Sequence, residues 1–100
     1  MLVAIRNALR IKNAVFDDEI TDLINACKLD LSISGVKIID DADPLIKQAV
    51  KTYVKANFGL DNKDGEKYME SYEAIKRHLA LCGDYNVEPI EVVVLPEEGV

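Results

Sequence analysis

Asp17-Asp18-Glu19-Ile20-Thr21-Asp22-Leu23-Ile24-Asn25-Ala26-Cys27-Lys28-Leu29-Asp30-Leu31 is the stretch that decides the fold. Ile20, Leu23, Ile24, Cys27 and Leu31 recur at spacings of three and four, which lays them along one face of a helix. The three acidic residues ahead of them sit where a first turn presents unpaired N–H groups and the positive end of the dipole. Ser32, Ser34 and Gly35 stop the pattern, so a helix is expected from about Asp18 to Ile33.

The same pattern recurs on both sides. Upstream, Leu2, Ile5 and Leu9 share a face opposite Arg6 and Arg10, giving a short helix that holds only if docked; Lys12 to Phe16 reads as a connector. Downstream, Val36 to Ala42 is a connector whose apolar run, Val36 to Ile39, packs as an extended piece. Asp43-Pro44 then starts a helix, since Asp caps and Pro at the first position gives up an N–H that had no partner. Leu45, Ala49, Val50, Tyr53, Val54 and Phe58 form its inward stripe, closed by Gly59. After a polar turn from Leu60 to Gly65, a last helix is expected from about Glu66 to Leu81. Tyr68, Met69, Tyr72, Ile75, Leu79 and Cys82 point inward, and Gly83 ends it. The fold class is all-α: a small bundle of three to four helices spanning residues 1–83, with an extended C-terminal arm over 84–100.

That arm differs in kind. Pro89 and Pro96 bracket Ile90-Glu91-Val92-Val93-Val94-Leu95, a β-branched run without helical character. Two uses are open: Ile90, Val92, Val93, Val94 and Leu95 add a strand to a partner protein or a neighbouring subunit, or the run folds back on its own bundle.

Composition narrows the function. With 100 residues the chain forms one domain, and about 65% of its unfolded surface can be buried. Trp is absent and aromatics are 6%, so the core is aliphatic. The net charge of −6 lacks the overall basic footprint of a nucleic-acid binder. Cys27 and Cys82 form no Cys-x-x-Cys and have no histidine at zinc spacing, and read as two buried, reduced thiols. The apolar start is cut short by Arg6, no run approaches the ~20 residues of a membrane span, and the chain is expected on the cytoplasmic side.

No catalytic constellation assembles. His78, the one histidine, sits among Lys76 and Arg77 at a helix end, and Ser32, Ser34 and Ser71 lack the surroundings of a nucleophile. Leu60 to Ser71 imitates a calcium loop at Asn62, Asp64 and Gly65, but Leu60 and Ser71 stand where carboxylates are required. Asp40, Asp41 and Asp43 are accounted for by helix initiation. No cofactor and no metal is expected.

Several of these pieces occur together in known proteins. Ile5 to Ile11, Asp17-Asp18-Glu19-Ile20 leading to Leu23-Ile24-Asn25-Ala26, Asp43-Pro44-Leu45-Ile46, Ala49-Val50, Tyr53-Val54, Asn57-Phe58-Gly59 and Tyr68 to Tyr72 succeed one another in a set order. In that order and spacing the chain resembles the head–tail connector (adaptor, or DNA-packaging) proteins of long-tailed double-stranded DNA phages and prophages, over about Leu2 to Leu81. The resemblance implies a non-enzymatic virion protein, made in the host cytoplasm, whose copies form a ring of about a dozen beneath the portal. Such a ring extends the DNA channel, lets DNA pass without sequence-specific binding, and carries the head-completion or tail protein. On this reading Asp61 and Asp64 are candidates to face the channel. The competing reading is a small helical regulator binding a host protein or DNA, but Lys47 to Lys55 alternates its lysines with a core stripe instead of forming a recognition helix.

Overall fold

A computed structural model describes residues 1–59 and 63–86. They form four helices, α1 (Leu2–Ala8), α2 (Asp17–Ile33), α3 (Pro44–Asn57) and α4 (Gly65–Leu81), and a 3-10 turn, Gly83–Tyr85. The arm from residue 87 onward lies outside the described residues. The bundle is organised around α3, which packs most extensively on α4 and next on α2; α1 closes the end formed by α2 and α3.

The core is the aliphatic one the composition requires. Ile5, Ile20, Cys27, Leu31, Ile46, Ala49, Val50, Val54, Tyr72 and Leu79 are sealed from solvent, with Ile24 and Val36 nearly so. Leu23, Tyr53, Phe58, Met69 and Ile75 are partly buried against this cluster. Two features of the sequence pattern need correction. On α3 the inward residue of the first turn is Ile46, not Leu45, which is 43% exposed. Each residue advances a helix by about 100°, so Ile46 lies one turn before Val50, while Leu45 lies on the side of Ala49 and Thr52, which is covered further along the helix and left partly open at its first turn. The second correction concerns the thiols: Cys27 is buried, whereas Cys82, at the C-cap of α4, is only partly covered.

The helix ends obey local chemistry. At the end of α2, Gly35 takes φ +107, the Gly35 amide donates to the Ser32 carbonyl at 3.1 Å and the Val36 amide to the Leu31 carbonyl at 3.0 Å. This is a Schellman motif, and burial of Val36 beside Leu31 completes it. The end of α1 repeats the geometry without glycine: Arg10 holds φ +63, its amide donates to Asn7 at 3.0 Å, and the Ile11 amide donates to Arg6 at 3.1 Å. Asp43 caps α3 by accepting the Leu45 amide at 2.8 Å and the Ile46 amide at 3.4 Å. The buried hydroxyl of Thr52 is satisfied by donating to the Gln48 carbonyl at 2.7 Å.

Candidate assembly surfaces

Polar contacts fix the helices relative to one another and so determine which faces remain outside. Arg6 on α1 forms a forked pair with Asp17 at the start of α2, at 3.1 and 3.2 Å. Lys28 on α2 reaches Asp41, in the connector between α2 and α3, at 2.7 Å. Between α2 and α4, the Tyr72 hydroxyl donates to Asp30 at 2.6 Å, and Lys76 reaches the same carboxylate oxygen at 3.0 Å while also pairing with Glu73.

Charge and burial around this cluster make it structural. Desolvation pushes the Asp30 carboxyl upward, but hydrogen bonds from Tyr72 and Lys76 and the ammonium charge outweigh it and hold the group below its ordinary value. Burial pushes the Cys27 thiol up to about 12, against a hydrogen bond with Tyr72 that pulls the other way. Burial, together with the bond to Asp30, pushes the Tyr72 phenol well above its usual range. Both groups therefore stay protonated near neutrality, which suits pinning helices and not proton transfer or nucleophilic attack.

A second polar junction ties the end of the described chain to the bundle. The Tyr85 hydroxyl donates to Asp43 at 2.8 Å, and the Tyr85 carbonyl accepts from the amides of Lys37 at 2.7 Å and Ile38 at 3.1 Å. The Tyr85 bond and the two capping amides hold the Asp43 carboxyl low, with desolvation opposing them. The extended Val36 to Ile39 piece is therefore clamped between the α3 cap and the 3-10 turn.

The outer faces are of two kinds. The outward side of α2 carries Leu29 at 62% exposure and Ile33 at 76%, one turn apart, with Val15 and Phe16 exposed at its other end. Two neighbouring exposed aliphatic side chains on one helix face form an apolar strip left open among the described residues. By contrast, a groove of about 410 Å³ between α3 and α4 is lined by Gln48, Lys51, Thr52, Lys55, Tyr68, Ser71, Ala74 and Ile75. It continues into a cleft that adds Arg10, Lys63 and Asp64, with Lys55 over the Tyr68 ring at 5.7 Å.

Asp64 is exposed at the start of α4, and Arg10, Lys55 and Lys63 line the same cleft. Asp61, like Ile90, Val92, Val93, Val94 and Leu95, lies outside the described residues. Asp40, Asp41 and Asp43 are each engaged, with the Ala42 amide, Lys28 and the α3 cap respectively. Among the described residues no cluster of histidine, cysteine and carboxylate side chains could hold a metal ion. No described helix is long and apolar enough to cross a membrane. The lysine-lined groove and the α2 strip are the features that sequence reading missed; the i, i+4 spacing of Lys47, Lys51 and Lys55 was the available signal for the groove.

Comparison with known proteins supplies what geometry alone does not. Searches of curated proteins and of solved structures returned no match to this chain. A family model described as phage connector protein matches residues 1–86, from the first helix through the Tyr85 junction and Asn86. The chain belongs to the phage connector protein family.

Proposed function

We propose that the protein is a head–tail connector subunit. Its copies form a ring of about a dozen beneath the phage portal, extend the DNA channel, and offer a platform to the head-completion or tail protein. The observation that carries this reading is the family match, which takes in all four helices and the 3-10 turn. A protein of this kind acts as a structural part of the virion and catalyses nothing.

The surfaces fit that role. A ring needs a heterologous contact, in which one face of a subunit meets a different face of the next. Leu29 and Ile33 provide an apolar strip for one side of that contact, and its occupant is a second copy of this chain. The pinned helices behind the strip, joined through Asp30, Tyr72 and Lys76, keep it rigid, which limits the entropy lost on assembly.

Sedimentation of the Leu29→Asp, Ile33→Asp double variant, with and without portal, tests the contact. Both side chains are mostly exposed, so helical content and melting are expected to stay close to wild type. Loss of assembly with the fold intact is the expected result. Rings that form equally well would exclude the α2 strip from the contact.

A further inference from the structure

The groove between α3 and α4 is basic, although the chain carries a net charge of −6. Lys47, Lys51 and Lys55 recur every four residues and so form a row along α3. Lys51 and Lys55 line the groove directly, with Tyr68, Ala74 and Ile75 supplying apolar wall and Gln48 and Ser71 hydrogen-bonding groups. Among the described residues no carboxylate lines it. Neither Lys47 nor Lys51 makes an ion pair among those residues.

The described chain ends beside the start of this row. Tyr85 donates to Asp43, the cap of α3, and the Lys47 amide donates to the Asp43 carbonyl at 2.9 Å, one turn further along. The sequence beyond Asn86 matches the groove in charge and character. Glu88, Glu91, Glu97 and Glu98 are the only charged side chains after Asp84, and they are interspersed with Ile90, Val92, Val93, Val94 and Leu95. An extended chain advances about 3.3 Å per residue, so about seven residues cover the ~21 Å length of α3.

We propose that the lysine-lined α3/α4 groove is the seat of this chain's own acidic arm, residues 88–95. Glu88 and Glu91, three residues apart across Pro89 and so on one side of a polyproline-type turn, meet Lys47 and Lys51, and the β-branched side chains that follow lie on Ala74, Ile75 and the Tyr68 ring. Opposite charge sets the direction and register of the arm, and apolar contact supplies the larger share of its hold, since partly exposed ion pairs each contribute little. Seated in this way, the arm covers a surface that would otherwise attract polyanions. The assignment does not depend on ring assembly.

Disulfide trapping in the full-length protein tests it. Gln48→Cys is paired with Ile90→Cys, the arm residue this register sets nearest to it, in a Cys82→Ser background, leaving only the buried Cys27 thiol besides the two new ones. Mild oxidation is expected to yield a cross-link within one chain, seen as a monomer of altered mobility. The rate should not vary with protein concentration, and should exceed at least tenfold that of an Asn25→Cys, Ile90→Cys pair on the exposed side of α2. Adding Lys47→Glu and Lys51→Glu should slow trapping about tenfold, and adding Glu88→Lys and Glu91→Lys as well should restore it. Equal rates at the two sites, indifference to the charge reversals, or cross-links only between chains would each overturn the proposal. The restored four-charge variant guards against reading a folding defect as a lost contact.

Discussion

Leu45 and Ile46 stand side by side at the start of α3, and only their position on the helix separates a surface residue from a core one. Ile46→Ala opens a cavity among fully buried neighbours and is expected to cost about 2–4 kcal/mol in denaturant unfolding. Leu45→Ala should stay within about 0.5 kcal/mol of wild type; equal effects would contradict the register. The α3 stripe could be located from its spacing, but its outer edge could not, because Leu45 and Ile46 are both apolar and Pro44 permits either to begin the pattern. Tyr72 and Asp30 illustrate a harder limit. Each fits its own helix as a plain amphipathic residue, and their bond spans 42 positions, so nothing local announces it. Its consequence is a pH dependence. The Asp30 carboxyl is held below its ordinary value, so its contribution is complete above about pH 3.9 and is lost as pH falls through the lowered native value. Denaturant unfolding of Asp30→Asn is therefore expected to show a weaker fall in stability below about pH 4 than the wild type. An unchanged acid slope would show that the carboxylate is not held by Tyr72 and Lys76.

Helix starts and stops were the best-marked elements in the chain. Asp43-Pro44 and Gly35 act through backbone geometry that depends on a few neighbours, and both operate in the structure as local chemistry dictates. The end of α1 is the exception, because the same Schellman hydrogen bonds are made around Arg10 in a conformation that favours glycine. Arg10→Gly is expected to raise unfolding stability by about 1 kcal/mol, provided the exposed guanidinium adds little. A loss of stability would mean that Arg10 contributes through attraction to Asp64, the acid that lines the same cleft. The long connector between α2 and α3 was legible as an extended piece through its apolar run. Its clamp was not, because Tyr85 lies more than 40 residues beyond Lys37 and reaches it only once α4 has folded back.

At the scale of the molecule, the four helices bury one aliphatic core and leave two surfaces of opposite character, an apolar strip on α2 and a basic groove between α3 and α4. The fold class was legible from periodicity alone, since every long helix carries its own stripe. The surfaces were not, because a strip such as Leu29 and Ile33 differs from a core stripe only in what covers it. A subunit with a rigid body and separate surfaces on different helices is suited to joining other proteins, and its membership of the phage connector family gives that suitability its context. The proposed role depends on these subunits building a ring on the portal. Negative-stain electron microscopy of the purified protein, alone and mixed with the portal from the same genome, tests it most directly. Rings of the isolated protein or an added collar on the portal are expected; a well-folded portal that stays bare, with no rings alongside it, would exclude the connector role.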